Sequence, residues 1–173
     1  METIHAITGR YACRKYTGEQ ITEQELKLLL DAANAAPVGM GDYSGFEVIV
    51  VQDEETRNAI DAGTAHAMPV MGDHPTYEAP TLIFICVKPN PQFAMIPYCG
   101  ASCIAENIMI EATDRGLASV YIMAVPTVMQ EKPELLERLP ISEGFIPVVL
   151  VSVGHAAQEH QAGKPERLTV KRV

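Results

Sequence analysis

Two arginines, Arg10 and Arg14, stand four residues apart with only Tyr11, Ala12 and Cys13 between them. A guanidinium presents its N–H donors in a planar fork that matches the oxygens of a phosphate or carboxylate. Two forks at this spacing can converge on one anion, or they can be solvated cations at a helix end. The spacing leaves both readings open. Lys164 and Arg167 make a second cationic pair near the C-terminus, which composition alone reads as a solvated tail.

Between these pairs lies a glycine cluster, Gly39, Gly41 and Gly45. A dinucleotide fingerprint needs a strand before its glycines and a helix after them. Here a helical pattern precedes and a strand pattern follows, so that reading fails. A loop of small residues still lets a flat ligand approach the backbone closely. Glu143-Gly144-Phe145, just ahead of an apolar run, is by composition an ordinary turn with backbone amides to present.

Other chemistries find little support. The histidines His5, His66, His74, His155 and His160 are scattered, and no Ser-His-Asp or Cys-His arrangement can be argued. His66 and His74, with Met68 and Met71 between them, lack a metal-site spacing. The four cysteines, Cys13, Cys86, Cys99 and Cys103, form no Cys-x-x-Cys pair and read as buried free thiols. Cys99 and Cys103 can share a helix face, but no second ligand pair faces them. A thiol-redox protein built on that pair stands as one alternative.

The chain has 173 residues, enough for a single domain over 1–173, and carries a formal net charge of −9. With no cluster of Lys and Arg it lacks the electrostatic footprint of a nucleic-acid binder. No apolar run approaches the roughly 18 residues of a membrane span. Nothing at the N-terminus resembles a signal peptide, and a cytoplasmic location is the default expectation.

The elements that must position the candidates follow from periodicity. Thr3 to Gly9 reads as a short helix. Thr22 begins a longer one, with Glu25 completing a capping box and Leu26, Leu29, Leu30 and Ala33 forming a stripe. That helix stops before Pro37, and Val38 to Gly45 is a loop. Phe46 to Val51 and Thr81 to Val87 are strands, with a helix from Glu54 to Ala62 between them. Gly63 to Ala79 resists assignment. Asn90 to Pro97 reads as a turn-rich connection into the longest helix, Tyr98 to Arg115, which is largely buried through Ala101, Ile104, Ala105, Ile108 and Ala112. Ala118 to Met123 is a strand, Pro133 to Arg138 a short helix, and Pro147 to Val153 a last strand. Helices precede the first strand, so the expected class is α+β, a helix–sheet–helix sandwich with a mixed central sheet and a long buried helix.

Together these segments resemble the FMN-dependent nitroreductase family. Arg10-Tyr11-Ala12-Cys13-Arg14 is similar to its Arg-x-Ser-x-Arg/Lys segment, and Leu28 to Pro37 to its helix ending in Ala-Ala-x-x-Ala-Pro. Ala105-Glu106-Asn107-Ile108-Met109-Ile110-Glu111-Ala112 resembles its Gln-Asn-Leu-Met-Leu-Ala-Ala helix, and Arg115 to Val120 the Gly-Leu-Gly-Ser terminus. Val151 to His155 and Lys164 to Leu168 fit its last strand and its basic C-terminal segment. The resemblance implies FMN as cofactor, NAD(P)H as co-substrate, and a small-molecule acceptor such as a nitroaromatic or quinone, reduced in a ping-pong cycle. It implies a homodimer with flavin sites between subunits. No nucleic acid or membrane partner is implied.

The roles it implies are these. Arg10, Lys164 and Arg167 surround the FMN phosphate, with backbone contacts from Tyr11 and Ala12. Arg14 lies toward the flavin edge where negative charge develops on reduction. Pro37, Val38 and Gly39 line another edge, and Glu143 and Gly144 offer a backbone amide near flavin N5. No catalytic acid or base is required, because the flavin carries the chemistry. This chain departs from the pattern at Ala12 and Val38, where the family has serines, and in the loop Gly41 to Phe46. A non-enzymatic flavin-binding protein and a specialised flavin dehydrogenase or dehalogenase are the alternatives those departures leave.

Overall fold

In the computed structural model, which describes residues 2–158 and 168–172, one sheet lies between two layers of helices. Its four strands are β1 (Phe46–Val51), β2 (Thr81–Val87), β3 (Ala118–Ile122) and β4 (Ile146–Gly154), in the order β1-β2-β4-β3. Every pairing between them is antiparallel, from Phe46 opposite Val87 to Ala118 opposite Gly154. The expected parallel component is confined to an isolated bridge between Ala12 and Ser119, where the N-terminal segment runs along the β3 edge.

The alternation of side chains in β2 explains the two layers. Ile83, Ile85 and Val87 face one core, together with α2 (Glu23–Asn34) and α4 (Met95–Asp114). Leu82, Phe84 and Cys86 face the other, against α3 (Glu54–Ala67), α5 (Ala124–Gln130) and α6 (Pro133–Leu136). With helices on both faces, β2 reads as a continuous apolar run and is buried throughout. The expected face of α4 is buried as well: Ala101, Ile104, Ala105, Ile108 and Ala112 are each at most 3% exposed. At the start of α2, Thr22 Oγ1 accepts from the Glu25 amide at 3.2 Å, and Glu25 Oε2 accepts from the Thr22 amide at 2.7 Å. The short N-terminal helix α1 (Thr3–Gly9) packs on α4.

Two boundaries differ from the sequence expectation by three residues or more, and one helix is additional. Helix α3 continues through Gly63 to Ala67, because that glycine is a packing position: a Cβ there would lie 2.6 Å from Leu135 Cδ2. Helix α4 begins at Met95, three residues early, with Pro97 in the first turn, where a missing N–H costs nothing. Helix α5 was not expected; Pro126 again sits in a first turn.

The unassigned stretch after α3 is held by a buried carboxylate. Asp61, 7% exposed, accepts at Oδ1 from the Thr76 amide and from Thr76 Oγ1, both at 2.8 Å. Its Oδ2 lies 3.0 Å from His74 Nδ1, and that bond holds the imidazole's protonation above its ordinary range. Among the described residues no group of three or more His, Cys, Asp or Glu side chains could hold a metal.

Candidate functional site

The segment leaving α1 carries the first arginines. Its backbone is tied to the sheet edge, with the Cys13 amide donating to Ser119 O at 3.0 Å. Tyr16 lies behind it, its hydroxyl donating to Ser152 O at 3.1 Å. Burial, then the neighbouring Cys13, pushes the Tyr11 phenol up to about 12, so it stays neutral near pH 7. Ala12 is exposed. Arg14 is exposed too, its guanidinium 5.9 Å from the centre of the Tyr77 ring. Arg10 is half-buried; its Nε lies 3.5 Å from Glu106 Oε1 on α4 yet makes no hydrogen bond. A buried guanidinium N–H without an acceptor is costly unless a ligand supplies one. Such a donor fits a phosphate oxygen.

The Pro37–Gly39 loop packs elsewhere on α4. Gly39 lies so close to the helix that a Cβ would come within 2.2 Å of Ile96 Cγ2, and a Cβ on Gly100 would come within 2.5 Å of Phe46 Cζ. Beside this contact opens a pocket of about 300 Å³, walled by Pro37, Val38 and Gly39 and by Met95, Ile96, Cys99, Gly100 and Cys103. Its lining has no charged side chain, which suits a flat apolar ring. Met95, Cys99 and Cys103 follow one another at four-residue intervals and form a sulfur-bearing stripe along its floor.

That stripe corrects an expectation. Cys13 and Cys86 are buried free thiols, and burial pushes Cys86 up to about 12. Cys99 is exposed and Cys103 half-buried. Apolar periodicity alone had placed all four inside.

Glu143 and Gly144 stand apart from the arginines within the chain. They form an exposed turn just before β4, with the Phe145 amide donating to Ser142 O at 3.1 Å. Gly144 needs its positive φ of 83° and faces Lys88, at the end of the sheet where β2 finishes. Arg10 to Arg14 bind the other end, beside Ser119, which pairs with Val153. Seven residues of β4 separate Ile146 from Val153, about 24 Å at strand rise. Within one chain the turn and the arginines do not come together. The turn after β3, with Met123 at 53% exposure, lies four residues from Ser119 and so nearer, about 13 Å along the strand. Sequence reading passed over it because Met-Ala carries no turn signature. Lys164 and Arg167 lie outside the described residues.

Comparison with known proteins agrees with this architecture. Residues 7–155 match the nitroreductase family as a whole. A relative from Archaeoglobus fulgidus, provisionally named an NADH dehydrogenase/NAD(P)H nitroreductase, is 27% identical over 91% of this chain and 87% of its own. The FMN reductase [NAD(P)H] of Bacillus subtilis is 25% identical over 95% of this chain and 69% of its own. Among solved structures, a nitroreductase with bound FMN from Desulfitobacterium hafniense superposes with a TM-score of 0.85 at 24% identity, covering 99% of both chains. One from Bacteroides fragilis, also with bound FMN, gives 0.80 at 25% identity, covering 99% of this chain and 100% of that one. On a match spanning most of its length, this chain belongs to the nitroreductase family.

Proposed function

We propose that this protein is an FMN-dependent NAD(P)H oxidoreductase that reduces nitroaromatics, quinones or related acceptors. Family membership supports the class, and one observation carries the cofactor: the buried Nε of Arg10, turned toward a carboxylate it does not hydrogen-bond, beside an exposed second arginine. Bound FMN supplies the capacity to accept a hydride and pass it on. This chain's own residues do the rest. Arg10, with Lys164 and Arg167, holds the phosphate, while Tyr11 and Ala12 contribute backbone. Arg14 places a fixed cation at the ring edge. Pro37, Val38 and Gly39 line an apolar edge and keep water from the ring. No side chain is asked to move a proton at a reacting atom.

Reductant and acceptor occupy the same face in turn, which makes the kinetics ping-pong. Initial-rate plots at several NADPH concentrations should be parallel; intersecting lines reject the shared face. The class itself is tested by mixing protein, FMN and NADPH without oxygen. Loss of the flavin absorbance near 450 nm supports the reductase, and a bound flavin that stays oxidised supports the non-enzymatic alternative.

The active form is a homodimer whose partner contributes to each flavin site. Its support is the apolar surface that one chain leaves uncovered: Ile4 at 57% exposure on α1, and Leu168 and Val170 at 87% and 79% in the C-terminal segment. Sedimentation should give about twice the chain mass, and a monomer at micromolar concentration with full FMN binding counts against it. Four free thiols suit a reducing compartment, and we assign the enzyme to the cytoplasm.

A further inference from the structure

Glu106 sits on α4 beside Asn107, whose Nδ2 donates to Ala32 O at 3.1 Å and so clamps α4 to α2. The backbone that carries Glu106 is therefore fixed relative to the core. From there its carboxylate reaches 3.5 Å from Arg10 Nε, and among the described residues this is the ion pair that Glu106 makes. The two side chains are 46% and 26% exposed, so the pair lies at the protein surface although Arg10 Nε itself is buried. Its geometry is that of attraction without a hydrogen bond, since Arg10 Nε stays unsatisfied. An ion pair of this exposure contributes little to stability. Its consequence is local: it decides where the guanidinium points and how much negative charge already surrounds it.

A phosphate that approaches Arg10 meets Glu106 at close range. It must take over the guanidinium from the carboxylate and tolerate a like charge beside it. We propose that Glu106 is a positioning residue that competes with the cofactor's phosphate for Arg10. It orients the guanidinium while the phosphate is absent and lowers the affinity for a phosphorylated flavin when one binds. This makes the cofactor exchangeable and narrows the margin by which FMN is preferred over unphosphorylated riboflavin. The inference rests on the reading that Arg10 holds the phosphate.

The test is a titration of the full-length protein with FMN and, separately, with riboflavin, followed by quenching of flavin fluorescence. Glu106→Gln keeps size and hydrogen-bonding capacity and removes the charge. It should tighten FMN roughly five-fold, the scale of one exposed charge–charge interaction, and leave riboflavin unchanged. Glu106→Asp keeps the charge and should retain the ratio of the unsubstituted protein. A Glu106→Gln protein with an unchanged or smaller preference for FMN, while Arg10→Ala still weakens FMN, overturns the competition but keeps Arg10 in the site. If Arg10→Ala leaves FMN affinity untouched, the site reading falls first and the competition with it. Thermal melting of each variant checks that the fold is intact, and should Glu106→Gln not fold, a five-fold or larger change in the ratio for Glu106→Asp would itself overturn the role given to charge.

Discussion

The Arg10–Arg14 segment and the Pro37–Gly39 pocket use the same helix, α4, in opposite ways. The arginine segment meets its middle through charge, with Arg10 3.5 Å from Glu106, and remains partly open to solvent. The pocket is made by contact with its first turns, where Gly39 and Gly100 let backbone come within van der Waals range of Ile96 and Phe46. Seven residues from Cys99 to Glu106 amount to about 10 Å along the axis. One rigid helix therefore carries both an electrostatic feature and an apolar one. The charged feature tolerates side-chain movement but not loss of charge. The apolar feature tolerates chemical change but not added volume.

Substitutions can break this contrast. The largest expected effect is at the charged feature: Arg10→Ala should weaken FMN binding by about 1.5–3 kcal/mol, the scale of a hydrogen bond to a charged group. Fluorescence titration measures it, and riboflavin should be bound as before. At the apolar feature, Gly100→Ala introduces a Cβ 2.5 Å from Phe46. Overpacking of this kind costs about 1–3 kcal/mol of stability, so calorimetry should show a lower melting temperature. A variant that melts normally would mean that the loop yields, and that the pocket is softer than its contacts imply.

A smaller effect joins the charged feature to the loop beneath Arg14. Tyr77, under the Arg14 guanidinium, belongs to the segment that Asp61 holds through Thr76 and His74. Hydrogen bonding to Asp61, then the charges of Glu78, Asp61 and Asp73, raises the folded-state pKa of His74, against the loss from burial. The linked stability is therefore complete below the ordinary imidazole value near 6.5 and is lost as pH rises through the higher folded value. An NMR titration should find His74 titrating above that ordinary value, and His74→Ala should abolish the pH dependence of protection at the Thr76 amide. The smallest effect is expected from the sulfur stripe. Replacing Cys99 and Cys103 together with Ala should leave FMN reduction by NADPH within about two-fold, since small apolar swaps at a pocket wall cost little. A large loss would instead favour thiol chemistry.

Local pattern carried much of the architecture. Thr22 and Glu25 encode the start of α2 because a capping box closes within four residues. β1 and β2 are bounded as expected because β-branched and apolar runs are flanked by residues that end them. The buried face of α4 follows from a 3.6-residue period. The arginines were legible as anion-binding candidates from chemical type alone. Missed features have partners far away in sequence. Gly63 reads as a helix stop until Leu135 is packed against it, and Cys99 reads as core until the pocket opens beside it. The separation of Glu143-Gly144 from the arginines within one chain follows from the antiparallel pairing of β4 with β3, which no local pattern contains.

Residue type, spacing and periodicity were thus enough to specify the sandwich, its long buried helix and the kinds of side chain offered to a ligand, since each depends on neighbours within a few positions. Which carboxylate faces Arg10, which cysteines reach solvent and which turn stands near the arginines were settled by packing between distant segments. Those contacts arise from a sheet register and a helix crossing, and a chain read one window at a time contains neither.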